Sequence, residues 1–400
     1  MIKYISRKLI IFLCLLLPLL WLVSCENDYP DSLFDPEAPK GDTPVIDSIT
    51  PAEGALAGVG KVTINGKNFS ETLENNFVFF NAERAINVEA SKNKLVVIAP
   101  NLFGDSIKVK IAIHKVELYS DTKFYKLIPA VNEVGKLADG DEGWGLAVDA
   151  TDNVFVSVSG KIIRKIAVDG KTTAYKENLT FLKANNMKMG PDNTLYCTVA
   201  AGRVRKIATL DPQGVEGTFV SLTGNPGDLD FDENKNIWVT VLGDIYLVKS
   251  DKTAKKILSL PVTLTSLRVY NGYVYVTGGD PGVGEAKIWR AKINGENLDT
   301  PEVVLDLTTA TWLEGATVNC LTFSADGEMV LGTNHENGIF IYHESDGSAS
   351  PLYPGLIAPS IYAMTWNETH YLYATQQLAD GAKVLVIDMA KAGAPYYGRK

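Results

Sequence analysis

Residues 143–167 decide the architecture: Gly143-Trp-Gly-Leu-Ala-Val-Asp149, Ala150-Thr-Asp-Asn153, Val154-Phe-Val-Ser-Val158, Ser159-Gly-Lys161 and Ile162-Ile-Arg-Lys-Ile-Ala167. Apolar and small or polar side chains alternate, break at a polar turn, resume, break at Gly160 and resume again. That is the pattern of three short antiparallel strands. The first strand recurs at a spacing of roughly 40 residues. Its copies are Leu146-Ala-Val-Asp149, Met187-Lys-Met-Gly190, Leu229-Asp-Phe-Asp232, Leu267-Arg-Val-Tyr270, Leu321-Thr-Phe-Ser324 and Met364-Thr-Trp-Asn367.

A tight turn follows each copy, as at Pro191-Asp-Asn193, Asn271-Gly272 and Ala325-Asp-Gly327, and second and third strands follow the turn. A row of six small sheets is unstable with its edges open, so the array should close on itself. The reading is an all-β chain whose residues 131–400 form a six-bladed β-propeller. Val131-Asn-Glu-Val-Gly-Lys-Leu137 precedes the first blade as an outer strand would, and is expected to complete the last one.

Upstream the texture differs. Pro44-Val-Ile-Asp-Ser-Ile-Thr-Pro51, Gly60-Lys-Val-Thr-Ile-Asn-Gly-Lys-Asn-Phe69 and Leu95-Val-Val-Ile-Ala-Pro100 are short strands with Gly, Pro and Asn turns between them. Such spacing predicts a β-sandwich over residues 44–127. These three motifs resemble the immunoglobulin-like IPT/TIG domain, which implies a spacer or interaction module without chemistry. The turns and the third strands Arg164-Lys-Ile166 and Arg205-Lys-Ile207 resemble NHL-type propellers.

The N-terminus reads as an address. Lys3, Arg7 and Lys8 precede an apolar run, Leu9–Leu20, that is too short to span a bilayer. It ends in Leu22-Val-Ser-Cys25, which resembles the lipobox of bacterial lipoproteins. Residues 1–24 are therefore expected to be a signal peptide, Cys25 the lipidated residue, and residues 25–43, rich in acids and Pro, an extended tether. The combination resembles Bacteroidetes surface lipoproteins found with polysaccharide-uptake systems. That resemblance implies an outer-membrane, surface-exposed protein, held to the membrane through Cys25, with a polysaccharide or an uptake complex as partner.

The whole chain carries 38 basic and 47 acidic side chains, a net charge of −9. An acidic protein repels phosphate backbones, so a nucleic-acid partner is not expected. Cys197 and Cys320 fall on strands of different repeats and read as buried thiols. No Cys/His spacing matches a zinc site, and no cofactor, metal or catalytic residue is expected.

Ligand contacts are expected where loops enter the inner strands and where second strands turn into third strands. The candidates there are Glu142, Trp144, Asn186, Asp228, Trp312, Glu314, Asn319, His335, Tyr362 and Gln376. Aromatic rings beside amides and carboxylates suit a sugar, whose apolar faces stack while its hydroxyls take directed hydrogen bonds. The leading expectation is a non-catalytic binding or accessory protein, with carbohydrate as ligand. Two alternatives stand beside it. One is a propeller enzyme of lactonase or lyase type, for which Glu142-Gly143 resembles the opening of a gluconolactonase metal site. The other is a protein–protein scaffold.

Overall fold

The computed structural model describes residues 41–399, and these are all-β, with only short 3-10 turns between strands. The expected signal peptide, Cys25 and most of the tether lie outside the described residues.

Two sheets face each other in the N-terminal unit. One has the order Val45–Thr50, Lys61–Lys67, Lys94–Ile98, Ile86–Ser91. The other runs Ala55–Ala57, Lys123–Pro129, Gly104–Ile113, Asn76–Phe80, Glu83–Arg84. Their inward residues alternate with exposed ones and meet in a single apolar core that includes Val62, Ile64, Val78, Phe80, Leu95 and Ile111. Gly58, at φ +79°, marks where this unit meets the next. A β-carbon there would lie 3.2 Å from Leu356 Cδ1.

Six four-stranded antiparallel blades follow, the fourth with one extra short strand. Their innermost strands are Gly143–Val148, Asn186–Met189, Pro226–Phe231, Leu264–Tyr270, Val318–Phe323 and Ile361–Trp366. One apolar cluster fills each of the six interfaces between neighbouring blades. Leu146, Val148 and Val154 of blade one, for example, pack with Ala363, Tyr373 and Val384 of blade six. At the end of the inner strand an Asp or Asn organises the turn. Asp149, Asp232 and Asn367 each accept two backbone N–H groups from the following turn. A carboxylate or amide oxygen placed there substitutes for a backbone acceptor, which is why the repeat reads so clearly in the sequence.

The ring closes through strand exchange. Val131–Glu133 is the outer strand of the sixth blade, with Val131 opposite Ile387, Asn132 opposite Val386 and Glu133 opposite Leu385. The residues that enter the domain thus complete the blade built from residues 361–388, and no interface of the ring is left unfastened.

A second closure was not legible in the sequence. The segment Gly393–Arg399 crosses the end of the central channel formed by the C-terminal ends of the inner strands, and it touches all six blades. Arg399 donates to the carbonyls of Val148 (3.0 Å) and Trp366 (2.9 Å). The Tyr396 hydroxyl donates to Met189 O (2.5 Å), and Tyr397 to Glu233 (3.0 Å). Arg268 donates to Pro395 O (2.9 Å), and Ala394 N to Phe323 O (2.9 Å). Gly393 lies so close to the Trp366 ring that no side chain fits.

Deleting Val131–Glu133 from the full chain would leave Leu385–Ile387 as an open edge and the ring unfastened. The expected result is aggregation, or a cooperative thermal transition lowered by many degrees; a transition unchanged in midpoint would contradict the closure.

Candidate functional site

Channel-facing positions follow directly from strand alternation. Met187, Leu229 and Leu267 enter the inter-blade clusters. Their neighbours Asn186, Lys188, Asp228, Asp230, Ser266 and Arg268 point to the axis and are buried there. At the end away from Gly393–Arg399 the channel opens into a cavity of about 280 Å³. Asn185, Asn186, Gly227, Leu264, Thr265, Asn319 and Tyr362 line it.

Most acceptors in the wall are already engaged. Asp228 is 2% exposed. One of its oxygens accepts its own Leu229 N–H (2.8 Å), and the other accepts Ser266 Oγ (3.0 Å) and Leu267 N–H (2.9 Å) from the next blade. Asp230 repeats the arrangement one pleat further in, with Phe231 N–H, Val269 N–H and the Arg268 guanidinium. These carboxylates staple blade three to blade four. Burial pushes the Asp228 carboxyl up, an effect that the nearby Lys188 and these hydrogen bonds oppose. Asn319 is a staple too: its amide nitrogen donates to Ser360 Oγ (3.1 Å) and Ile361 O (2.9 Å) of blade six.

Several donors, in contrast, are free. Asn186 Oδ1 accepts Met187 N–H (2.8 Å), which fixes the amide's orientation and leaves Nδ2 without a partner among the described residues. Lys188, two positions along the same face, makes no hydrogen bond or ion pair among the described residues, nor does the Tyr362 hydroxyl. Burial pushes the Tyr362 hydroxyl up to about 12, so it carries its proton at neutral pH.

The rim is a chain of contacts. The Trp144 indole N–H donates to Ser159 Oγ (3.1 Å), which donates to Glu142 Oε2 (2.8 Å). The Trp144 ring meets Tyr362 edge to face, centroids 4.9 Å apart. The ammonium of Lys183 lies over the Trp144 ring. Burial lowers Lys183 to about 8, partly offset by Glu142.

The candidates named from sequence therefore divide. Asn186, Asn319 and Tyr362 line the cavity, Asp228 continues its wall, and Glu142 and Trp144 form the rim. Trp312, Glu314 and His335 gather elsewhere, around Phe340 of blade five. Trp312 and His335 lie with ring centroids 4.9 Å and 5.0 Å from Phe340, and His335 Nε2 is 3.9 Å from Glu314. Trp312 is partly buried against an apolar cluster and is not part of the cavity lining. Gln376, 5% exposed, donates to Ala358 O (2.6 Å) and holds a loop. Lys183 and Lys188 were missed. Lys188 had a signal, a lone charge between Met187 and Met189 on an inner strand; Lys183 had none. Cys197 and Cys320 are free and buried, and burial pushes both thiols up.

Residues 44–126 match the IPT/TIG domain family. No curated protein is significantly similar in sequence. Several solved structures share the fold. An auxiliary nutrient binding protein from Bacteroides ovatus ATCC 8483 is 12% identical, with a TM-score of 0.54 over 88% of this chain and 99% of that one. One from Bacteroides thetaiotaomicron VPI-5482 is also 12% identical, with a TM-score of 0.53 over 88% and 98%. A gluconolactonase from Xanthomonas campestris is 15% identical, with a TM-score of 0.52 over 64% and 89%. The architecture is thus an IPT/TIG sandwich followed by a propeller, a combination that spans both Bacteroides structures.

Lys183 provides a pH readout of the rim. Between its folded value near 8 and the ordinary 10.5, the unfolded chain holds a proton that the folded chain has released, so its contribution to stability rises with pH through that window. NMR titration of the Lys183 Cε resonance should give a midpoint near 8. Glu142→Gln should lower that midpoint further, and Lys183→Met should flatten the stability slope. An ordinary lysine midpoint would contradict the geometry.

Proposed function

We propose that this chain is a lipid-anchored cell-surface protein that captures a small ligand at the open end of its propeller, as a non-catalytic binding or accessory component of a nutrient-uptake system. One observation carries the reading. The central channel is stoppered at one end by Gly393–Arg399 and opens at the other into a small cavity whose polar groups have unused hydrogen-bonding capacity. A concave site with a few convergent polar groups is the usual form of a ligand pocket. The fold shared with auxiliary nutrient binding proteins supports the same role, and the lipobox-like Leu22-Val-Ser-Cys25 supports the address.

The volume suits one sugar-sized unit, since it falls just below the ~300–1,000 Å³ usual for small-molecule pockets. Trp144, half-buried and in an edge-to-face contact with Tyr362, brings an aromatic ring to the rim, one face of it under the Lys183 ammonium. A lactonase-type metal site would need Glu142 to converge with Asn and Asp ligands. Here Glu142 accepts from Ser159 at the rim, and Asp228 has both oxygens committed to the blade three–four staple.

A glycan array probed with the full chain should show binding that Trp144→Ala weakens and that Trp312→Ala leaves intact in molecules that remain folded. Equal loss in both, or no glycan binding at all, would favour a scaffold. Cys25→Ser should move the protein from the membrane to the soluble fraction; an unchanged distribution would contradict the anchor.

A further inference from the structure

Among the described residues, three donors stand unpaired in the channel, against one free acceptor at the mouth, Asn185 Oδ1. Asn186 Nδ2, Lys188 Nζ and the Tyr362 hydroxyl are all donors without a partner among the described residues. Asn186 is 9% exposed and Lys188 8%, so both are held away from bulk water on one channel-facing edge of the second blade's inner strand. Tyr362, from blade six, lines the same cavity as Asn186, and Lys188 lies two positions further along the inner strand, beyond that lining. The carboxylates of the wall do not meet this demand. Asp228 and Asp230 are saturated by backbone N–H groups, Ser266 and Arg268. No carboxylate lies within ion-pair distance of Lys188 among the described residues. Neither nitrogen is fully shut off from the open space of the channel, so a group that supplies acceptors there takes the place of water.

Resting on the binding reading above, we infer that the site takes a carboxylate-bearing ligand of about monosaccharide size, an acidic sugar. Its carboxylate enters first and accepts hydrogen bonds from Lys188, Asn186 and Tyr362. A carboxylate accepts from three donors at once and offers none in return. In the wall, Asp230 is paired with Arg268, and Asp228 is held by backbone N–H groups and Ser266. The mouth itself is mixed in character. Asn185 donates to Pro226 O (2.8 Å) and keeps its Oδ1 free, while Thr265 adds a hydroxyl. Hydroxyls on the outer part of the ligand find both kinds of partner there. The ammonium of Lys183 at the rim favours entry of an anion.

Calorimetric titration of the full chain in detergent with glucuronate, glucose and glutarate tests the assignment. Glucuronate is expected to bind at least about tenfold more tightly than glucose, the worth of one charge-assisted hydrogen bond. Lys188→Met should abolish that preference. Tyr362→Phe, which removes only a hydroxyl at the cavity edge, should reduce it in a protein that folds normally even if Lys188→Met does not. Glutarate binding as tightly as glucuronate would keep the carboxylate and overturn the sugar. Glucose binding as tightly as glucuronate, with Asn186→Ala weakening both, would overturn the carboxylate while the binding reading stands. No heat with any of the three would overturn the acidic-sugar assignment, and the glycan array then decides the binding reading separately.

Discussion

A buried ion pair ties the channel wall to its stopper. Arg268 Nη1 lies 2.5 Å from the Asp230 carboxylate, with both side chains almost wholly buried, and its second terminal nitrogen donates to Pro395 O. One guanidinium thus joins blade three, blade four and the segment that crosses the channel. Breaking such a pair by removing one partner typically costs about 3–5 kcal/mol, because the charge left behind has no water to turn to. The neighbouring Asp228 staple uses the same logic without an ion pair, through backbone N–H groups and Ser266. Six apolar interfaces hold the blades side by side; these polar staples fix their register around the axis.

The site inherits its rigidity from that arrangement. Inner strands locked by apolar clusters on their flanks and by the stopper below cannot adjust to find partners for Lys188, Asn186 and Tyr362. Donors held unpaired in a fixed cavity are preorganised for an acceptor, since little ordering remains when the ligand arrives. The rim differs. Trp144, Ser159, Glu142 and Lys183 form a half-exposed chain of contacts whose protonation responds to mildly alkaline pH.

Much of the ring was readable because its signals are local and repeated. The inner-strand alternation and the turn-capping Asp149, Asp232 and Asn367 recur at the blade period, and Val131–Glu133 sits where an outer strand belongs. The mouth residues Asn186, Asn319 and Tyr362 were also legible, because position just before or at the start of an inner strand dictates location. Trp312 lies apart from the cavity, since an aromatic in a long loop can pack on Phe340 as easily as face the axis. Gln376 is engaged for a similar reason: its amide meets the Ala358 carbonyl, a contact set by the fold of a distant loop. The stopper left no trace at all. Gly393-Ala-Pro-Tyr-Tyr-Gly-Arg399 has no periodicity, and its partners are spread over residues 148–366.

Hydrogen–deuterium exchange of the full chain with and without glucuronate tests most directly whether the channel is a pocket open at one end. The account predicts slowed exchange confined to the mouth, at residues 185–188, 264–266 and 361–363, with Gly393–Arg399 already protected in the free protein and unchanged. Protection on the sandwich or on the stoppered face, or fast exchange throughout Gly393–Arg399 in the free protein, would contradict it.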